Sequence, residues 1–190
     1  MSKAVIFSIR PEWSFLIATG QKTMEVRKRA PRISTPYKAY LYCTDGKTFY
    51  RSRRDGEIRM CHKKAHQSLK HHTVFNGKVW GEFICDLDIP MMFESKDPTA
   101  QVTHFEVPGT GLSDVQIMEY LGSGKPGHGI HICKLTIFDR PRELSEFRRI
   151  CKNDLNCESC AMFTVNTDNC HNEALVLKRP PQSWCYVKEV

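Results

Sequence analysis

Hydrophobic and polar positions follow several distinct rhythms along this chain, and each rhythm predicts a different element. Ala4 to Ile9 is a short, mostly apolar β-branched run, read as a buried strand. Pro11 then stands where a first helical turn accepts it, Trp13, Leu16 and Ile17 recur at helical spacing, and Gly20 offers a stop. A helix over about 11–19 follows from this. The next residues, Lys22 to Arg29, alternate. With Met24 and Val26 turned to a core, Thr23, Glu25, Arg27 and Arg29 share the other face of a strand. Pro31 and Pro36 bracket a loop before a second strand, Tyr37 to Thr44. Lys78 to Asp88 reads as another, with Trp80, Glu82 and Ile84 on one side and Val79, Phe83, Cys85 and Leu87 on the other.

Ser113 is a plausible cap for a short helix ending at Gly122, and a Gly-rich loop over 122–129 leads into a strand from about Ile130 to Phe138. Residues 141–149 read as helical, 151–171 as Cys-rich and irregular, and Trp184 to Val187 as a last short strand. Strands mixed with short helices and long loops predict an α+β class built on a small curled sheet or barrel. A main domain over 1–140 with an insertion at 45–76 is expected, followed by a Cys-rich module over 141–190 whose final strand returns to the core.

Composition narrows the picture. The 190 residues are 41% hydrophobic and 10% aromatic, enough for a core that buries roughly 70% of the unfolded surface and excludes disorder. No stretch approaches the ~20 apolar residues of a membrane span, and the apolar run before Arg10 and Pro11 is too brief for a signal peptide. A cytoplasmic setting is expected. There the nine cysteines would be reduced, and clustered thiols bind metal more often than they pair.

Charge is concentrated. Lys and Arg number 28 against 21 Asp and Glu, yet residues 47–72 alone hold eight of those cations against Asp55 and Glu57. His62, His66, His71 and His72 lie in the same stretch, and helix is expected around 61–70. A basic surface of this density points to a polyanion, and nucleic acid is the first candidate. A solvated excursion without a partner is the plain alternative.

The Gly20-Gln21-Lys22-Thr23 turn sets an ammonium at a strand entrance, and Glu25 and Arg27 follow on one strand face. Such a trio grips a base edge and a phosphate, activates a water, or simply forms ion pairs on a solvated face. Lys22 in a turn and Arg27 on a non-core face are expected to tolerate substitution at a cost of about 0.5 kcal/mol or less. Glu82 sits between Trp80 and Ile84, where burial would raise its pKa, and Glu119 is another carboxylate within possible reach of a cleft. The loop at 122–129 lacks the Lys-Ser/Thr pair of a P-loop. Its amides and Lys125 remain a possible phosphate cradle beside the simpler reading of a connector.

Three strings resemble one family. Ile6-Phe7-Ser8-Ile9-Arg10-Pro11-Glu12-Trp13, Thr19-Gly20-Gln21-Lys22-Thr23-Met24-Glu25-Val26-Arg27-Lys28-Arg29 and Lys78-Val79-Trp80-Gly81-Glu82-Phe83 look like an ASCH domain of the PUA-like superfamily, as found in bacterial and phage proteins. The likeness extends loosely to about residue 140, and the tail from Arg179 to Val187 is similar to the ending of longer phage-type members. The resemblance implies a β-barrel-like core with a cleft for RNA or a nucleobase. Some small ASCH proteins hydrolyse acylated cytidine with a lysine, a threonine nucleophile three residues later and a glutamate. Lys22 matches the lysine and Arg27 the arginine that follows. Glu25, however, stands where the threonine would be and has no hydroxyl to attack with.

The leading expectation is therefore RNA binding, with Arg10, Lys22, Thr23, Arg27 and Arg29 around the cleft, Arg51, Arg53 and Arg54 in the insertion, and Lys125 in the Gly-rich loop. The alternative is a hydrolase acting on a modified nucleoside or on RNA, with Lys22, Glu25 and Glu82 as catalytic groups. A third reading has the basic stretch dock on an acidic protein. No membrane contact is expected.

Cys151, Cys157, Cys160 and Cys170 fall within twenty residues, one pair at the Cys-x2-Cys spacing that wraps two sulfurs around a tetrahedral ion. A structural zinc is expected there, with His171 able to replace Cys170. Free thiols and an iron–sulfur cluster are the alternatives. Cys43, Cys85 and Cys133 read as small core residues, and Cys61 with His62 and His66 as a weaker second metal candidate.

Overall fold

The computed structural model describes residues 2–61, 69, 71–92, 108–122, 124–151, 163–164, 169–170 and 172–190. In chain order the elements are β1 (Lys3–Ile9), α1 (Pro11–Ala18), β2 (Met24–Arg27), β3 (Tyr37–Cys43), β4 (Thr48–Ser52), β5 (Ile58–Cys61), β6 (His72–Val74), β7 (Val79–Cys85) and β8 (Asp88–Met92). They continue as α2 (Asp114–Leu121), β9 (Pro126–His131), β10 (Cys133–Arg142), β11 (Phe163–Thr164), β12 (Asn169–Cys170) and β13 (Trp184–Lys188). No helix among the described residues is long and apolar enough to cross a membrane.

The central sheet has five strands in the order β10-β7-β3-β1-β13. β1 and β3 are parallel and the other pairs antiparallel. The apolar run of β1 follows from this position: all of Ala4 to Ile9 is buried because both sheet faces are covered. On one face Val5, Phe7, Leu41, Trp80 and Phe83 meet Ile17 of α1 and Ile130 and Ile132 from the β9 segment. On the other, Ala4, Ile6, Tyr40 and Val79 meet Leu144, Phe147 and Leu177 from the C-terminal third. Each buried Val, Leu, Ile or Phe among them contributes about 2 kcal/mol by leaving water.

β7 corrects one expectation. Trp80 packs with Phe83 and Cys85, not with Glu82 and Ile84, because the register against β3 slips between Leu41 and Tyr42. That bulge inserts a residue and reverses the side-chain alternation beyond it. Trp80 then enters an aromatic cluster with Phe49, its ring centroid 5.3 Å away, and Phe75 at 6.2 Å.

A second sheet, β2-β9-β8, packs beside the first. The two share corners where the chain passes from β7 through Asp86 and Leu87 to β8, and from β9 through Ile132 to β10. Lys134 takes φ +50° just beyond the second corner. The expected curled barrel is therefore corrected to separate sheets joined at bends, with no closed barrel among the described residues. β2 is only four residues long and is an edge strand. It reaches the central sheet by a side chain, Arg27 Nη2 donating to the Ser8 carbonyl at 2.8 Å. A cleft remains where a backbone ladder would have closed a barrel.

The Gly-rich stretch is corrected too. Gly127 and Gly129 belong to β9, the middle strand of this second sheet, and lie against Leu121 and Met24. The basic insertion forms a third sheet, β5-β4-β6. Asn76 anchors it, accepting from Phe49 N at 2.8 Å and donating to the carbonyls of Thr44 and Lys47 at 3.2 and 2.9 Å. The helix expected around 61–70 falls mostly outside the described residues. Over 141–149 there is only a 3-10 turn at Leu144–Glu146, since β10 runs on through Pro141 to Arg142, paired with Val79. At the chain's end β13 pairs with β1, from Lys3 opposite Lys188 to Phe7 opposite Trp184.

Candidate functional site

A cavity of about 620 Å³ opens between the end of β1, the start of α1, β2, α2 and residues 180–183. Its polar centre comes from the alternation of β2. Val26 packs with Met91, Ile117 and Leu121, which leaves Glu25 and Arg27 to the opposite face. Both are only 7% exposed, and Lys22 is 2% exposed. Glu25 Oε1 accepts from Arg27 Nη2 at 3.0 Å, and its Oε2 lies 3.4 Å from Lys22 Nζ.

Lys22 does more than pair. Its ammonium also donates to the carbonyls of Met24 at 2.7 Å and Thr110 at 2.6 Å, so its three donors are all engaged. Burial pushes its pKa below the ordinary lysine value, against the attraction of Glu25. Backbone bonds from Thr23 and Met24 to the Gly109 carbonyl hold the same approach to α2. Lys22 thus ties β2 to the segment that leads into α2. Arg27 reaches the other way, to the Ser8 carbonyl and, at 3.4 Å, to Ser183 Oγ. Its buried Nε has no hydrogen-bond partner among the described residues.

The walls are drawn from distant parts of the sequence. Trp13 of α1 lies with its ring centroid 5.8 Å from Lys22 Nζ. From α2 come Gln116 and Tyr120, and the helix is set by a capping box in which Ser113 and Gln116 exchange bonds. Residues 180–183 are pinned by Ser8, whose Oγ donates to Pro181 O at 2.7 Å and whose N donates to Ser183 O at 2.9 Å. Tyr120 is 41% exposed, and the Lys28 ammonium stands 5.3 Å from its ring centroid.

Of the residues singled out from sequence, the structure brings together Arg10, Lys22, Glu25 and Arg27. It does not bring Glu82 there: that carboxylate lies on β7, 3.5 Å from Lys38 Nζ. Thr23 and Arg29 are exposed outside the cavity lining, and Arg29 offers its carbonyl to Trp184 Nε1 at 2.9 Å. Lys125 and Glu119 are exposed and likewise outside it. In the insertion, Arg51 is paired with Asp139 at 3.0 Å, and Arg59 with Asp55 and Glu57 at 2.6 and 2.9 Å. Arg53 and Arg54 stand on an exposed turn without an acidic partner among the described residues.

For the thiols, Cys157, Cys160 and His171 lie outside the described residues, as do His62 and His66. Cys151 is half-buried, and Cys170 is opposite Phe163 in the β11–β12 ribbon. Among the described residues no three His, Cys, Asp or Glu side chains are grouped for a metal. Cys43 and Cys85 are buried as expected of core thiols, while Cys133 is half-buried.

Sequence reasoning missed Tyr120, Gln116, Lys28 and the wall at 180–183. An aromatic on the exposed side of a helix whose Ile117 and Leu121 already supply its buried face was a usable signal. The wall had no local signal, since Ser8 and Ser183 meet only through the pairing of β1 with β13.

No protein-family model matches the chain, and no curated protein sequence does. Similar solved structures are crystal structures of ASCH from Zymomonas mobilis. A tyrosine-to-phenylalanine variant is 15% identical, covers 99% of this chain and 92% of its own, and superposes with a TM-score of 0.47. The unsubstituted protein is 16% identical, with 98% of this chain and 88% of that one covered and a TM-score of 0.46. The chain is thus similar in structure, over nearly its whole length, to the ASCH protein of Zymomonas mobilis.

Proposed function

We propose that this chain is a PUA-like ASCH module that binds RNA by admitting an unpaired nucleotide into the cleft. One observation carries the reading: a nucleotide-sized cavity holds a recessed Glu25–Arg27 pair beside Trp13 and Tyr120 and exposed cations. Aromatic faces stack bases of any sequence, while a carboxylate and a guanidinium offer an acceptor and donors to a base edge. The buried, unsatisfied Arg27 Nε–H is a further donor that a ligand's acceptor would relieve. Binding fits better than hydrolysis by Lys22, because an ammonium that already donates to two carbonyls and a carboxylate is a strut and has no free lone pair. Arg53 and Arg54 on the β4–β5 turn supply a second contact with phosphate.

Binding of labelled single-stranded RNA across a salt series tests this. Affinity should fall as salt rises, and neutralising Arg53 and Arg54 together should flatten that dependence by up to about 1.4 in log–log slope, about 0.7 for each phosphate released. Neutralising Arg51 and Arg59, which are already paired, should change it less. RNA binding that is absent at low salt overturns the proposal.

A further inference from the structure

The groups at the centre of the cleft are too deeply set to meet a phosphate backbone. Lys22 is 2% exposed and Arg27 7%, and each is committed to Glu25 and to backbone carbonyls. What takes the charge of a bound strand must stand outside them. Beside Tyr120 and at the cleft wall, two cations do so: Arg10, exposed at the N-cap of α1 and lining the cleft, and Lys28, exposed just past β2. Lys28 is placed by Tyr120, over whose ring it stands at 5.3 Å.

Tyr120 itself is unexplained by packing. α2 buries Ile117 and Leu121 completely, and Tyr120 is left 41% exposed at the cleft. Its ring lines the cleft with the Lys28 ammonium beside it, as a platform for a flat ligand requires. We infer that Tyr120 is the stacking platform for a base of a single strand, with Lys28 and Arg10 taking the phosphates on either side. A base lies on the ring face that Lys28 leaves open, and the ammonium takes the phosphate of the same nucleotide. The inference rests on the proposed RNA-binding function and makes it specific: bases in a duplex present no free face to a tyrosine ring, so the ligand is an unpaired strand.

The test compares the full chain with Tyr120→Ala, Tyr120→Phe and Lys28→Gln, using fluorescence anisotropy of one labelled single-stranded RNA and of its duplex across a salt series. Tyr120→Ala should weaken single-strand binding about tenfold with the salt slope unchanged, and Tyr120→Phe should retain it, since stacking needs the ring and not the hydroxyl. Lys28→Gln should lower the slope by about 0.7, and the duplex should bind more weakly than the strand. Both positions are exposed, so matching thermal melts are expected for all three variants and check that folding is intact. If the parent chain prefers the single strand but Tyr120→Ala binds as well as the parent, this inference is overturned and the cleft assignment survives; a preference for the duplex overturns both. A parent chain that binds no RNA overturns both.

Discussion

Lys22 shows how far a residue's role depends on what surrounds it. From sequence it belongs to a turn and should tolerate substitution, yet the structure buries it almost completely against Glu25, Met24 O and Thr110 O. Lys22→Met keeps the length and removes the charge, leaving Glu25 with Arg27 alone and two carbonyls unsatisfied. Breaking a buried pair in this way costs about 3–5 kcal/mol. Chemical denaturation should show that loss. A change near zero would mean that solvent reaches the triad. Thiols and phenols set the response to alkali. Burial raises Cys43 from 9.0 to about 12, and it also raises Cys85, Cys185, Tyr40 and Tyr42. The folded chain holds these protons while the unfolded chain releases them, so stability is intact below pH 9 and falls as pH rises above it. Cys43 alone accounts for about 4 kcal/mol of this by pH 12, at about 1.4 kcal/mol for each pKa unit. Lys22, lowered by burial, acts in the opposite sense, but it is one group against the buried thiols and phenols, Tyr37 among them. Unfolding free energies should therefore drop steeply above pH 9, and a flat profile to pH 11 would contradict the burial of Cys43.

At the scale of elements, the strings read from sequence have structural causes that their spacing did not reveal. Gly81, in the middle of Lys78 to Phe83, stands where a Cβ would come within 2.7 Å of the Thr136 carbonyl in β10. That oxygen is backbone and cannot swing aside. Gly81→Ala should push β10 from β7 and cost about 1–3 kcal/mol, read as a lower melting temperature. Gly20→Ala meets no atom within 4 Å, but φ of +76° there charges a smaller strain. α1, α2, β1, β3 and β13 were legible because run length, periodicity and caps all agreed. β9 was not, because Gly127 and Gly129 carry turn chemistry while their lack of side chains is what lets Leu121 and Met24 close over the strand. Trp80 was assigned to the wrong face for a comparable reason, since a bulge leaves no mark in the alternation that precedes it.

For the molecule as a whole, the excess positive charge reads differently once folded. The insertion that carries it is a small sheet anchored by Asn76 and by the Phe49–Phe75–Trp80 cluster, and it spends Arg51 and Arg59 on nearby carboxylates. The candidate site sits elsewhere, where the two larger sheets fail to close. Half of that site was legible in Arg10 and in the Lys22–Glu25–Arg27 string. The rest, Tyr120 and the wall at Pro180 to Ser183, exists only because α2 docks on β2 and the C-terminal strand returns beside β1. Such long-range placements cannot be read from local pattern. The most direct measurement is a titration of isotopically labelled protein with a short single-stranded RNA, following backbone amide resonances. The cleft account predicts saturable shifts at Ser8, Arg27, Tyr120 and Ser183, with smaller ones at Arg53 and Arg54. Shifts confined to the insertion, or none at saturating RNA, would contradict it.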